Sequence, residues 1–200
     1  MSALVITAVP VVVGLIALGW YRAAYNDFVR LRNLVTESWQ QVDVELQRRH
    51  DLVPNLVATV EQAAAFEHDT LLAVTNAARA AQSGATGIDV GSRVSAENAL
   101  TTALGRLHIQ SVAYPAVQAV GNYRALQQEL SDIEDRIAAA RRLYNANVRA
   151  LNTKIETVPA TFVAARHRVL PAEYFETTGP GAHAVVEVGG LFSDRFQQTM

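Results

Sequence analysis

A short run of charged residues interrupts an apolar helical pattern in the first third of the chain. The segment at 42–57 reads VDVELQRRHDLVPNLV, and its polar and helix-breaking members are Arg48, Arg49, His50, Asp51 and Pro54. Arginines bind anions or carboxylates, and a histidine beside a carboxylate is a candidate metal ligand. Three interpretations are open: a bend supported by ion pairs between helices, a groove where a partner or an anion docks, and a reaction site.

Metal chemistry has two candidate positions, the pairs His50–Asp51 and His68–Asp69. Adjacent residues of a helix point about 100 degrees apart, so neither pair forms a chelate by itself. The chain has no HExxH, no GxSxG and no Walker-type loop. We therefore predict no catalytic residue, no metal ligand and no cofactor, and we keep a metal-dependent hydrolase built on these pairs as an alternative.

The elements that must position these residues are helices. Apolar residues recur every three or four positions from Phe28 to Val60 and again from Val117 to Ile155, with shorter patterns at about 67–83 and 93–112. Strand signals are nearly absent before the last twenty residues. The sequence predicts an all-α fold: an antiparallel up-down helical bundle with two long and two shorter helices.

The predicted bundle places the charged run opposite an acidic cluster. If the two long helices run antiparallel, Arg48 and Arg49 face residues 131–134, and Trp39 lies level with Tyr144. Pro54 should kink the helix or restart it, with Asp51 as the new N-cap. The candidate partner-docking or structural patch is Arg48, Arg49, His50, Asp51, Pro54, Asp132, Glu134 and Arg141.

The N-terminus carries eighteen uncharged residues at 3–20, ALVITAVPVVVGLIALGW. In a helix they span roughly 27 Å, enough for a tilted membrane crossing. Trp20 and Tyr21 would sit at the membrane interface, and the C-terminal flank carries Arg22, Arg30 and Arg32. Positive residues stay on the cytoplasmic side, so we expect the bulk of the chain in the cytoplasm.

The chain therefore divides into three parts. Residues 1–22 form a transmembrane anchor, 23–176 form the helical bundle, and 177–200 form a tail that is either disordered or contains a short strand at AVVEV. The 200 residues have a formal net charge of -2 with both signs mixed, which argues against a nucleic-acid partner. The chain has no cysteine, so disulfides and thiolate metal sites are excluded.

Several motifs resemble those of one protein family. YNDFVRLRNLVTESWQQVDVELQRRHDLVPNLV, which ends at residue 57, looks like the opening motif of the LemA family of bacterial membrane proteins. The resemblance runs from about 20 to 176, with YP at 114–115, EDRI at 134–137, AR at 140–141, YN at 144–145 and YF at 174–175. It implies an N-terminal membrane anchor and an all-helical domain, and the family has no settled molecular activity.

These observations lead to one functional prediction with two alternatives. We predict a non-enzymatic, single-pass protein of the cell membrane that acts as a helical scaffold or adaptor of the bacterial envelope. Its partners would be the lipid bilayer, through residues 3–20, and a protein. The alternatives are the metal-dependent hydrolase and a structural membrane protein that self-associates into a homo-oligomer through its long helices.

Overall fold

The computed structural model describes residues 2–62, 67–84 and 90–175, and at residues 2–9 only the backbone. Every element in these ranges is a helix: α1 Ser2–Glu61, α2 His68–Gly84, α3 Val90–Val112, α4 Pro115–Gln118, α5 Tyr123–Glu156 and α6 Ala160–His167. No strand occurs in these ranges, and the all-α prediction is confirmed for them. The tail at 177–200, with its predicted strand at AVVEV, lies outside the described residues.

The core lies where α1 and α5 pack together and where the α2–α3 hairpin covers the C-terminal half of α1. Apolar residues spaced three or four apart put one stripe of each helix inside. The most deeply buried members of the core include Val42, Leu46, Leu56, Val60, Val74, Leu100, Leu107, Ile137 and Val148. Burial of these stripes holds the four longest helices in the predicted up-down order.

Three contacts fix the register of α1 against α5. Lys154 Nζ lies 3.2 Å from Asp27 Oδ2, and Arg49 Nη1 lies 2.8 Å from Glu134 Oε1. Between these levels the ring centroids of Trp39 and Tyr144 are 5.2 Å apart. The pairing is antiparallel, with the levels predicted from the ends of the two long helices.

The predicted restart of the first helix at Asp51 is wrong. α1 continues through Pro54 as one helix of 60 residues, and the Asp51 carboxylate accepts a hydrogen bond from Gln47 Nε2 at 2.8 Å. Proline removes the donor to the His50 carbonyl. Leu52, Val53 and Leu56 are buried around it, and their packing outweighs that loss.

The second long helix also differs from the prediction. Pro115 opens the short α4 and not the long helix, which starts only at Tyr123. Between them the chain turns, and the Tyr123 amide donates to the Val120 carbonyl at 3.1 Å. Gly121 and Asn122 lie in this turn and are typical turn residues.

A further helix that we did not predict, α6, covers the end of the α1–α5 pair where the C-terminus of α5 lies. Its residues Ala160, Val163 and Ala164 join a second apolar cluster with Phe28 and Leu151. The end of the α1–α5 pair near Phe28 therefore consists of three helices.

A residue in the left-handed backbone conformation ends α6, and the chain then turns back along α5. Arg168 has φ 52°, and the amide of the next residue, Val169, donates to the Ala164 carbonyl at 3.0 Å. This is a common way to end a helix. The chain beyond it returns toward the middle of the bundle.

The predicted transmembrane segment is not confirmed. Within the part of the chain that the structure describes, no helix is both long enough and apolar enough to cross a membrane. The predicted span begins at Ala3, and the side chains of residues 3–9 lie outside the described ones. Tyr21, predicted to sit at the membrane interface, contacts α6, with its hydroxyl 2.7 Å from His167 Nε2.

Candidate functional site

Two of the predicted patch residues are inside the protein. Arg49 and His50 are each only 1% exposed, and both point from α1 into the bundle. Around them lie Glu97 and Thr101 of α3 and Glu134 of α5, and we call these five residues the charge layer. Charged side chains are rarely buried unless they are paired, so the partners decide what this layer can do.

Arg49 is the centre of the charge layer. Its Nη1 donates to Thr101 Oγ1 and to Glu134 Oε1, each at 2.8 Å. Its Nη2 donates to the carboxylate of Glu97, which is 2% exposed. One guanidinium therefore joins α1, α3 and α5 by charge-assisted hydrogen bonds.

Glu97 also faces the second buried residue of α1. Its Oε1 lies 3.0 Å from His50 Nε2, a contact that is an ion pair whenever the imidazole is protonated. Burial by itself raises the pKa of the Glu97 carboxyl, but His50 and Arg49 together outweigh burial and hold the pKa below its ordinary value of 4.5. Glu97 is therefore held as a carboxylate inside the bundle.

A layer of rings and guanidinium groups lies next to the charge layer on the side of the N-terminus of α1. Arg93 pairs with Asp43 and lies over the Trp39 ring, 5.2 Å from its centroid. Arg141, the last member of the predicted patch, lies 4.3 Å from the centroid of Phe175. Burial, and then the charge of Arg49, lower the pKa of Arg141 against the opposing effect of Glu134 and Glu97.

Phe175 is the last residue of a segment that is held against α5. We call residues 169–175 the strap, because two asparagines of α5 each bind one of its residues twice. Asn145 accepts from the Phe175 amide at 2.8 Å and donates to its carbonyl at 3.0 Å. Asn152 binds Ala172 in the same way, at 2.9 Å in both bonds. The strap thereby covers one side of α5 between α6 and the charge layer.

The other predicted residues lie on the surface. Arg48, Asp51 and Asp132 line a groove of about 750 Å³ between α1 and α5, together with Asn55, Glu129 and Arg136. Arg48 pairs within its own helix with Glu45 at 2.8 Å, and Asp132 accepts a hydrogen bond from Gln128 at 3.0 Å. Pro54 is exposed nearby on α1. The patch is therefore divided into a buried part and a surface groove.

The two His-Asp pairs do not converge. Asp51 bonds along its own helix, while the carboxylate that reaches His50 is Glu97. His68 and Asp69 are exposed in the first turn of α2. Within 2–62, 67–84 and 90–175, no three histidine or acidic side chains lie close enough together to hold a metal ion.

Our reading of the sequence missed the α3 half of the charge layer. Arg93 and Glu97 occupy the same apolar stripe as Leu100, Leu104 and Leu107, at steps of three and four residues. Charged residues at core positions of a helix indicate a buried partner. That signal was present in the sequence, although it does not say which residue the partner is.

The fold and site together define a helical bundle whose motif residues meet at mid-length. Three residues come from the motifs that resemble the family. Glu134 of EDRI belongs to the charge layer, Phe175 of YF is the last residue of the strap, and Asn145 of YN binds it. The chain belongs to the LemA family, whose sequence model matches residues 38–189.

Curated relatives agree with this assignment. Magnetosome protein MamQ 2 of Paramagnetospirillum magneticum is 29% identical over 185 residues, which cover 81% of this chain and 68% of the relative. MamQ 1 of the same organism is equally similar. Magnetosome protein MamQ of Magnetospirillum gryphiswaldense is 26% identical over the same shares of the two chains.

Proposed function

We propose that this chain is a membrane-anchored helical scaffold of the bacterial envelope, which holds a protein partner close to the bilayer. The observation that carries the proposal is the continuity of α1, one helix from Ser2 to Glu61. Its 60 residues measure about 90 Å at the usual rise per residue. An anchor at residues 3–20 would be joined without a hinge to the helix that forms the core of the bundle.

The exposure of the N-terminal side chains supports an anchor. The large apolar residues of the described part of this segment, Val11, Val12, Val13, Leu15, Ile16 and Leu18, are all more than half exposed. A helix that is apolar on all sides and touches no protein suits a lipid environment. Arg22, Arg30 and Arg32 follow it, so we place the bundle on the cytoplasmic side of a single-pass protein.

The partner would dock in the groove lined by Arg48, Asp51 and Asp132. Both signs of charge are present, and none of these side chains is needed for the buried layer, so this surface is free to recognise a mixed-charge partner. The buried residues Arg49 and His50 would serve the scaffold by fixing α1, α3 and α5 to one another.

Crosslinking in cells tests this proposal. A photoreactive residue replacing Arg48 should capture a discrete foreign protein in the membrane fraction, and Asp132→Arg should abolish the adduct. The matched control is the same probe at Arg106, an exposed arginine of α3 outside the groove. If both positions capture the same set of proteins, or if neither captures one, the groove does not dock a partner.

A further inference from the structure

Three large apolar side chains are exposed at α6 and on either side of it. Val158, in the turn before the helix, and Phe162, within it, are each 71% exposed, and Leu170, after it, is 77% exposed. The inner face of α6 already packs against Phe28 and Leu151, and none of the three exposed side chains belongs to that cluster. Single exposed apolar residues are ordinary, but three around one short helix indicate a contact surface.

The same part of the chain is basic and contains no acidic residue. Residues 157–172, which we call the α6 segment, read TVPATFVAARHRVLPA, and their arginines Arg166 and Arg168 are both exposed. In the ranges that the structure describes, neither arginine forms an ion pair. Exposed apolar side chains beside unopposed arginines suit the surface of a bilayer that contains anionic lipids.

Contacts with α1 place the α6 segment next to the proposed anchor. His167 Nε2 lies 2.7 Å from the hydroxyl of Tyr21, and the His167 and Tyr25 ring centroids are 4.5 Å apart. Tyr21 directly follows the uncharged stretch at 3–20. If that stretch spans the bilayer, the C-terminal end of α6 lies where the span meets the lipid headgroups. Arg49, by contrast, lies about 40 Å further along α1.

We propose that the α6 segment is a second membrane contact, in which its exposed apolar side chains enter the headgroup region and Arg166 and Arg168 bind the phosphates of anionic lipids. The inference rests on the proposed function, because the anchor brings this segment to the bilayer. It also goes further, since the tilt of a spanning helix is set by its interfacial contacts. A contact through α6 would hold α1, and with it the bundle, at one angle to the membrane.

A fluorescent label tests the contact, since the chain has no cysteine of its own. The purified full chain carries an environment-sensitive dye at Ala165→Cys, an exposed position of α6. Its vesicles contain phosphatidylcholine, phosphatidylglycerol and a lipid with a quencher at the headgroup. We expect the dye to be quenched and its emission to shift to the blue. The matched control is the dye at Ala99→Cys, an exposed alanine of α3 that lies between the two α3 partners of Arg49 and should stay unquenched.

A dye at Val13→Cys, inside the proposed span, separates this inference from the proposed function. It is measured in vesicles whose quencher is in the acyl chains. Quenching at position 13, with position 165 behaving like position 99, would keep the anchor and overturn the second contact. Quenching at 165 but not at 13 would support the lipid contact and overturn the anchor. Quenching at neither position would overturn both.

Charge reversal tests the role of the arginines. Arg166→Glu with Arg168→Glu should lower the ratio of quenched to unquenched dye at position 165 by about tenfold or more, because each arginine close to an anionic surface strengthens binding about fivefold. Vesicles of phosphatidylcholine alone should have a similar effect on the native chain. Arg79→Glu with Arg106→Glu, two exposed arginines of α2 and α3, is the matched control and should leave the ratio unchanged. Equal quenching in the reversed and native chains, with unchanged circular dichroism, would overturn the binding of lipid phosphates.

Discussion

The carboxylate of Glu97 is the residue on which the charge layer depends, because it faces both Arg49 and His50. A buried ion pair adds little stability relative to an apolar pair, but removal of one member leaves an uncompensated charge. We expect Glu97→Gln to lower the free energy of unfolding by about 3–5 kcal/mol, the range for a broken buried pair. Urea unfolding followed by circular dichroism measures this change. A loss no larger than that of Asp51→Asn, a surface control, would show that the layer carries no such energy.

The same carboxylate predicts a pH dependence. The folded-state pKa of Glu97 lies below the ordinary value of 4.5, so the folded protein holds this proton less readily than the unfolded chain does. Its contribution to stability is therefore present above pH 4.5 and is lost as the pH falls through the lower, folded-state pKa. The difference in unfolding free energy between the native chain and Glu97→Gln should shrink in that acidic window. A difference that stays constant down to the acid transition would contradict this.

At the scale of elements, α1 tolerates a proline where a helix would ordinarily break. Pro54 is exposed and leaves the His50 carbonyl without its helical donor, a defect that costs about 3 kcal/mol in a helix interior. Pro54→Ala should therefore stabilise the protein, by up to about that amount. Asn55→Ala is the control for helix propensity alone. A stability loss on Pro54→Ala, measured by the same urea unfolding, would mean that the helix around residue 54 needs the proline.

The strap depends on the side-chain amides of α5. Asn145→Ala removes both bonds to Phe175 and leaves its buried backbone groups without partners, at a cost of about 1–3 kcal/mol per group. We expect faster hydrogen exchange at residues 172–175, with exchange in the core of α5 unchanged. Mass spectrometry of peptides from the exchanged protein measures it. Asn33→Ala, on the exposed side of α1, is the control. Protection of residues 172–175 that survives in Asn145→Ala would contradict the role of Asn145 in holding the strap.

The apolar stripes were sufficient to predict some contacts and not others. Together with the ends of the two long helices, they predict the levels of Arg49 with Glu134 and of Trp39 with Tyr144, because the stripes fix the buried faces and the helix ends fix the register. They do not predict that Arg49 is buried, because that depends on Glu97, which comes from a different helix. The strap could not be predicted, because backbone groups of the strap form its hydrogen bonds to the α5 asparagines. A pattern of side chains does not indicate which backbone groups those asparagines bind.

The whole molecule is a long helix pair with a distal bundle, and its dimensions follow from α1. Because one helix runs through both the N-terminal apolar segment and the core, the two regions cannot move independently unless α1 bends. Arg49, the guanidinium that ties α3 and α5 to α1, lies near the distal end of this helix. The proposed anchor would therefore set the direction in which the docking groove faces.

Alkaline extraction of membranes is the measurement that tests the account most directly, since scaffolding at the bilayer requires an integral anchor. The native chain should stay in the membrane pellet after carbonate treatment, and a chain carrying both Leu15→Arg and Ile16→Arg should move to the supernatant, because charged residues within a span oppose insertion. Ile109→Arg with Val112→Arg, two exposed apolar residues of α3, is the matched control and should stay in the pellet. Release of the native chain by carbonate would contradict the account.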